Sequence, residues 1–429
     1  MKATTDKQMS EPVFYHVDVN SAFLSWEAAE RLKKDPATAD LRQIPSAIGG
    51  DPEKRHGIIL AKSTPAKRFG IVTAEPIGRA LAKCPDLVLV SPHYKIYAEY
   101  SASLMNLLRE VAPSVEQFSI DEAFCDMTGT RTLYGDPAAF ADQLRARIRT
   151  ELGFTVNIGV SSNRLLAKMA SDFEKPDRTH TLFPEEIPEK MWPLPVDDLL
   201  FVGGSTARRL HELGIHTIGD LARSDPQILE AHFKSHGKVM YDYANGRDDV
   251  HKIRFHDERK GYSHSMTLPE DLTDPKKAHL ILLSLCETVS ARIRKDGRKM
   301  TSFSVMIRTE DFINYSRQTK SSFPTASAQS IYETILSCFD SLWEEKHRVP
   351  LRLIGVSASG GDEQDQYHLF DQRKRNEKLE RLDSALDSVR EKYGDSTVLR
   401  ASILAGKEEL PKSIRRESSD TDKTKNGET

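Results

Sequence analysis

The chain has 429 residues, 38% hydrophobic and 29% charged, which describes a water-soluble globular protein large enough for several domains. Its apolar runs fall short of the roughly 18–20 residues of a membrane span, and it opens without a charged-then-apolar leader, so neither a span nor a signal peptide is expected. A net charge of −3 does not by itself indicate a nucleic-acid binder; cysteines at 84, 125, 286 and 338, without C-x-x-C or Cys/His spacing, fit a reducing cytoplasm and argue against structural zinc or a disulfide framework.

Residues 1–11 are polar and expected to be flexible. Residues 13–19, VFYHVDV, read as a strand with Asp18 near its end, and NSAFLSWEAAERL after it has helical spacing. A carboxylate where a buried strand gives way to a helix is costly to desolvate, and a metal ion is the obvious compensation. LMNLLREV (104–111) reads as a helix. Residues 117–127, QFSIDEAFCDM, set Asp121 and Glu122 between apolar runs, as in a hairpin that lifts two acids out of a core sheet. Hard Mg²⁺ prefers such carboxylate oxygens and leaves most of its shell for water and phosphate. In AAFADQLRARIRTEL (138–152), Phe140, Leu144, Ile148 and Leu152 share one helical face, and TVNIGVS (155–161) reads as a buried strand. A sheet covered by helices follows. Asp18, Asp121 and Glu122, from two strands far apart in sequence, form the carboxylate set that two-metal phosphoryl transfer uses.

Residues 184–247 switch to short helices around the pair Gly203 and Gly204, with Leu210, Leu213, Ile215 and Ile218 as packing positions. This matches a helix-hairpin-helix, whose turn points N–H groups at a phosphate without reading bases. GRDDVHKIRFHDERKG reads as a tether, and 261–359 holds strands and two amphipathic helices in α+β order. RIRKDGRK (292–299) with Arg308, Arg317 and Lys320 forms a basic region, whereas acids accumulate from Gly360 onward. Residues 372–396 read as one more helix, and 407–429 as a polar, disordered tail.

Together and in order, HVDVNSAFLSWE, AKRFG, QFSIDEAF, GVSSNRLLAKMASDFEKP, the hairpin and KGYSHSMTL resemble the Y-family (DinB/UmuC-type) translesion DNA polymerases over about residues 12–405. The resemblance implies an α+β multidomain, right-hand polymerase. Its palm would be residues 12–27 and 92–183, its fingers 28–91, and its helical thumb with the helix-hairpin-helix 184–247. A linker (248–260), an α+β little finger (261–359), a clamp-binding segment with a C-terminal helix (360–406) and the tail (407–429) would follow. The implied activity is template-directed, error-prone addition of dNMP to a primer 3′-OH, on damaged or undamaged template and without proofreading. Two Mg²⁺ ions, replaceable by Mn²⁺, would serve each site.

Carried onto this chain, Asp18, Asp121 and Glu122 correspond to the catalytic, metal-holding carboxylates, and the Val19 carbonyl to a further ligand. Ser21, Ala22 and Phe23 would meet the triphosphate, with Phe23 also the steric gate against a ribose 2′-OH. Lys175 would reach the triphosphate. Thr64 and Lys67 stand where many members have a Tyr and an Arg; lysine keeps the charge but loses the bidentate fork, so weaker nucleotide binding, or help from Lys62, Ser63 or Arg68, is expected. The small residues Ala61, Ser63 and Thr64 fit a roomy pocket over the nascent base pair. Asn20 replaces a frequent second Asp, Ala22 a frequent aromatic, and Phe201 the first hairpin glycine, which leaves Gly203 and Gly204 to face phosphate.

Arg292, Arg294, Lys295, Arg298, Lys299, Arg308 and Arg317 are expected phosphate contacts. Gln366, Leu369 and Phe370 resemble the Q-L-x-L-F peptide by which bacterial polymerases dock on the sliding clamp (its beta subunit). Template–primer DNA, dNTPs and the clamp are thus the implied partners of a monomeric bacterial cytoplasmic protein, associated with the nucleoid when active. A non-catalytic, clamp-tethered DNA-binding accessory protein of the same fold is the alternative; it would be expected to lack the palm carboxylates. A nucleotide cyclase would need neither the hairpin nor the basic last domain.

Overall fold

The computed structural model describes residues 11–50, 57–248, 259–361, 372–394 and 397–405. The chain forms two compact units that part near residue 257. The first is built on a five-stranded sheet of order β5-β6-β1-β7-β8. These strands are β1 (Phe14–Val19), β5 (Ser114–Gln117), β6 (Glu122–Asp126), β7 (Val156–Ser161) and β8 (Thr179–Thr181). Central β1 runs antiparallel to both β6 and β7. All six of its residues are buried, because the sheet is covered on both faces.

Period-two alternation sorts the side chains of β1. Tyr15, Val17 and Val19 join the main apolar core with Leu104 and Leu108 of one helix (Tyr94–Val111) and Leu144 and Ile148 of another (Pro137–Leu152). The second of these starts where Asp136 caps the Ala139 amide and Pro137 supplies a first-turn residue with no N–H to satisfy. Phe14, His16 and Asp18 point to the other face, against the short helix Arg164–Ser171. That helix is pressed onto β7 so closely that a Cβ on Gly159 would stand 1.9 Å from the Ala167 carbonyl oxygen. Only glycine permits that approach.

Between the helix Ala22–Lys34 and the helix Tyr94–Val111, three short strands, β2 (Ser46–Gly49), β3 (Ile59–Lys62) and β4 (Val88–Val90), pair in the order β3-β2-β4. They carry a small core of Ala47, Ile59, Ile71, Ile77 and Leu87. After β3 a single helical turn, Thr64–Lys67, is capped by the Ser63 hydroxyl accepting from the Ala66 amide at 3.1 Å. Residues 184–244 form short helices around Leu210, Ile215, Ile218, Leu221, Leu229 and Met240.

The second unit is a four-stranded antiparallel sheet of order β11-β10-β12-β9, from β9 (Gly261–Leu272), β10 (Met300–Thr309), β11 (Asn314–Thr325) and β12 (Leu351–Gly361). Phe303, Val305, Ile307, Ile354 and Val356 pack under helices Pro275–Lys295 and Ala328–Glu345. The opposite face carries Ser302, Ser304, Met306 and Arg308 of β10, cross-strand from Lys320, Gln318, Ser316 and Asn314 of β11 and from Ser359, Ser357, Gly355 and Leu353 of β12. Small hydroxyl residues and flanking cations therefore line the open face.

A C-terminal helix spans Gln372–Tyr393, three residues shorter than its helical sequence signal. It is bound by charge. Arg294 pairs with Asp383 (3.4 Å) and Asp387 (2.7 Å), Arg390 of the helix pairs with Glu287 at 3.5 Å, and Lys299 pairs with Glu380 at 2.9 Å. No described helix is long and apolar enough to cross a membrane.

Candidate active site

Asp18 and Glu122 are direct register partners across the β1–β6 ladder, and the Val19 amide donates to the Asp121 carbonyl at 3.1 Å. The three acids thus meet at one end of the sheet. Like charges placed opposite one another destabilise a sheet unless something compensates them. The compensation comes from the covering helix and the loop after it. Lys168 Nζ lies 3.0 Å from Glu122 Oε1, 3.4 Å from Asp18 Oδ2 and 3.2 Å from Asp172 Oδ2. Lys175 Nζ lies 3.0 Å from Asp18 Oδ2 and 2.7 Å from Asp172 Oδ1. Asp121 stands slightly apart, its Oδ1 accepting from the Ser119 hydroxyl at 2.6 Å.

These pairings set the ionisation of the site. Burial raises the Asp18 carboxyl above its ordinary range even though Lys175 and Lys168 pull the other way. Burial would also raise Glu122, but the His16 imidazole and the Lys168 ammonium outweigh it and hold that group down at about 2. Burial would lower Lys168 and Lys175; their acidic neighbours prevail and push both up, so both ammonium groups stay charged. His16 is fully buried and lowered, chiefly by desolvation, so the ring is neutral. Its Nδ1 lies 2.8 Å from the Ser171 hydroxyl, while Nε2 points at Glu122 Oε2 from 3.5 Å and has no hydrogen-bond partner.

Among the described residues no three His, Cys, Asp or Glu side chains converge as a ready-made metal site. The donor chemistry nevertheless fits a divalent cation. Asp18, Asp121, Glu122 and Asp172 offer four carboxylates against two ammonium groups, a deficit of two charges, and every donor is a hard oxygen.

A cleft of about 580 Å³ opens beside Asp18. Val19, Asn20, Ser21 and Lys175 line one side, and Thr64, Lys67 and Arg68 of the single-turn helix region line the other. Ser21 is left-handed (φ 49°) and makes no side-chain cap, which leaves the first turn of the helix Ala22–Lys34 to accept an anion. Ala22 is buried in the core. Phe23 stacks on Tyr97 (centroids 4.6 Å, planes 13° apart) and meets Tyr94 edge-on. The Asn20 amide donates to Asn157 Oδ1 at 3.1 Å and accepts from the Asp177 amide at 2.9 Å; aspartate in its place would lose the first bond. The expected roominess is only partly met. Ala61 is buried, the Ser63 hydroxyl is spent on the Ile44 carbonyl, and Thr64 alone of the three is exposed.

The remaining expected contacts divide by environment. Gly203 precedes the helix Gly204–Glu212, with nothing within 4 Å of a Cβ at either glycine. Phe201, 58% exposed, takes a left-handed φ of 68° there, a strained choice for a residue with a Cβ. In the second unit Arg308 lies on the open face beside Asn314, and Arg292 and Lys295 are exposed on their helix. Arg298 donates to the Arg259 carbonyl and Lys299 pairs with Glu380 at 2.9 Å. Arg317 is cross-strand from inward-facing Val305 and pairs with Glu345 at 2.7 Å, on the helix-covered side. Arg294 is held within the C-terminal helix contact. Gln366, Leu369 and Phe370 lie outside the described residues.

Lys168, Asp172 and His16 complete the carboxylate cluster without having been expected there. A signal was present: Lys168, Asp172 and Lys175 fall at i, i+4 and i+7, which puts them on one side of a helix and its continuation.

Comparison with known proteins places these features. Models of the impB/mucB/samB family, of its C-terminal domain and of its HHH motif match residues 17–172, 259–369 and 184–215. The chain is 48% identical over 400 residues to a DNA polymerase IV of Clostridium acetobutylicum, covering 92% of this chain and 99% of that one. It is 36% identical over 406 residues to a DNA polymerase IV of Alkaliphilus oremlandii, with coverage of 92% and 99%. A solved Y-family DNA polymerase chimera, Dbh-Dpo4(243-245)-Dbh, superimposes with a TM-score of 0.70 at 23% identity, covering 81% of this chain and 98% of that one.

Proposed function

The chain belongs to the Y-family (impB/mucB/samB) DNA polymerases, and from that premise we propose that it extends a DNA primer on damaged or undamaged template by two-metal nucleotidyl transfer. Template–primer DNA and dNTPs are its substrates. One observation carries the mechanism: Asp18 and Glu122 face each other across adjacent strands, next to Asp121, at the edge of a nucleotide-sized cleft whose far wall is cationic.

In this reading Asp18, Asp121, Glu122 and the Val19 carbonyl hold two divalent ions, Mg²⁺ by the hardness of their oxygens, with Mn²⁺ able to substitute. Bound there, the ions supply activation of the primer hydroxyl and charge neutralisation of the departing pyrophosphate. The chain's own groups do the rest. Lys175 leaves Asp18 for the triphosphate, which also meets the amides of Ser21, Ala22 and Phe23 at the helix start. Lys67 and Arg68 replace the missing bidentate clamp with two separate charges, and Thr64 adds a hydroxyl. Gly203 and Gly204 present amides to a DNA phosphate. Proofreading is not part of the proposed activity. Recruitment to the sliding clamp through Gln366, Leu369 and Phe370, a monomeric state and a bacterial cytoplasmic location complete the proposal; they rest on sequence.

The reading is tested by primer extension with the purified chain, a short template–primer, dNTPs and Mg²⁺. Extension that stops in EDTA and leaves a mismatched terminus uncut supports it. DNA binding without extension favours the accessory-protein alternative.

Three further outcomes are expected. Phe23→Ala removes the ring that would occupy the space of a 2′-hydroxyl, and raises ribonucleotide relative to deoxynucleotide insertion by roughly 10²-fold, measured by single-turnover insertion of each. Arg308→Ala with Lys320→Ala, both on the open sheet face, lowers the slope of log affinity against log salt by about one per residue. Arg294→Ala acts differently: it removes one buried cation that holds the C-terminal helix through Asp383 and Asp387, costing about 3 kcal/mol of stability with the salt slope unchanged. Fluorescence anisotropy across a salt series and a thermal melt separate the two behaviours.

A further inference from the structure

We propose that Lys168 is a resident cation of the carboxylate cluster: its ammonium group stands between Asp18 and Glu122 in place of a metal ion, so that the free enzyme keeps the site assembled and binds metal weakly until nucleotide brings further oxygens. The inference deepens the polymerase reading and rests on it for the identity of the ligands.

Geometry separates Lys168 from Lys175. Lys168 rises from a helix fixed against β7, where the Gly159 contact leaves no room to slide. Its side chain is 10% exposed and lies behind Asp18, whereas Lys175 is among the groups that line the cleft. An ammonium has three donors, and Lys168 has three carboxylates within 3.4 Å: Asp18, Glu122 and Asp172. Lys175, 33% exposed, lines the cleft and shares Asp18 and Asp172. One cation is thus built in and the other is exchangeable, with Asp172 touching both.

A second observation concerns the other side of Glu122. The buried Nε2 of His16 points at the other oxygen of Glu122 and has no hydrogen-bond partner. No other cation reaches Glu122 among the described residues, so without Lys168 it would stand opposite Asp18 with only that neutral ring beside it. A divalent ion would then be needed to restore the balance.

The test uses the full chain without DNA or nucleotide, with Mg²⁺ or Ca²⁺ alone as the probe. The wild-type melting temperature should be nearly the same in EDTA and in millimolar metal. Lys168→Met, similar in length and uncharged, should melt about 5–10 °C lower in EDTA and recover most of that loss with either ion. Its metal affinity by calorimetry should rise at least about tenfold, because a like charge has been removed from the site. Lys168→Arg should behave like wild type. Should Lys168→Met fail to fold in EDTA, adding Glu122→Gln removes the charge that needs balancing and should restore folding. A Lys168→Met protein that melts like wild type in EDTA overturns the inference, as does one whose loss neither metal nor Glu122→Gln recovers. Primer extension by the wild type, run in parallel, reports on the polymerase reading separately. Extension together with metal-indifferent Lys168→Met sinks only this inference; no extension together with metal-dependent Lys168→Met sinks only that reading.

Discussion

Replacing Asp121 and Glu122 together by alanine should cut primer extension at least about 10³-fold while the five-stranded sheet stays folded. On the proposed two-metal mechanism the loss is large because the two side chains act as one unit with Asp18, and a remaining carboxylate would not hold both ions. The fold should survive because its contacts here are made by backbone. The Val19 amide still donates to the carbonyl of residue 121, the amides of Phe118 and Ser119 still donate to that of residue 122, and the β1–β6 register is unchanged. Lys168 keeps Asp18 and Asp172, so no buried cation is stranded, and His16, already neutral, loses no counter-charge that it needs. The stability cost should stay near 1–3 kcal/mol. Extension, circular dichroism and DNA affinity measured on one preparation decide the matter. Affinity for DNA should hold or rise, since two negative charges leave the neighbourhood of phosphate. A double variant that still extends at a tenth of the wild-type rate would remove these acids from the chemistry.

What the amino-acid sequence revealed depends on which kind of pattern each feature leaves. Asp18 was legible because a charge ending the run VFYHVDV stands out against it, and the strand found, Phe14–Val19, differs from the expected one by a single residue. The helix expected at 138–152 begins at Pro137, since Asp136 and Pro137 spell out its start. The helix expected at 104–111 in fact starts at Tyr94: its first two turns bury only Tyr97 and Ser101, too few apolar residues to show a period. Pairing was invisible. That Asp18 lies opposite Glu122 and not one residue off is a matter of register, which no local pattern states. Facing was invisible too. Arg292, Arg294 and Lys295 are near neighbours in sequence, but about 100° of helical turn per residue sends Arg294 into the C-terminal helix contact and leaves the other two exposed, Arg292 donating to the Ser263 carbonyl at 2.9 Å. Arg308 and Arg317 sit on the paired strands β10 and β11 and look alike in a basic stretch, yet parity puts one on the open face and the other against Glu345. Charge density locates such a region; only the register decides which of its cations the open face presents.

Gly159→Ala, which meets backbone more closely than a Cβ at any other described glycine, should be strongly destabilising, by an argument independent of the catalytic reading. The new Cβ would stand 1.9 Å from the Ala167 oxygen and 2.5 Å from the Ser171 nitrogen, both backbone atoms that no rotamer change can move. The helix Arg164–Ser171 would have to lift off β7 by more than an ångström, and it is the helix that brings Lys168 to Glu122 and Ser171 to His16. We expect at least about 3 kcal/mol of destabilisation. In whatever fraction folds, extension should fall roughly 10²-fold, because a displacement of that size moves the charge that positions the carboxylates. Gly203→Ala is the matched control. Its backbone is extended and nothing lies within 4 Å of the added methyl group, so its melting temperature should fall only by what the roughly 1 kcal/mol cost of alanine at a helix N-cap entails. Thermal melts of the two variants side by side are sufficient. Equal melting temperatures would mean that β7 and its covering helix are not in contact as described, and the placement of Lys168 would fall with them.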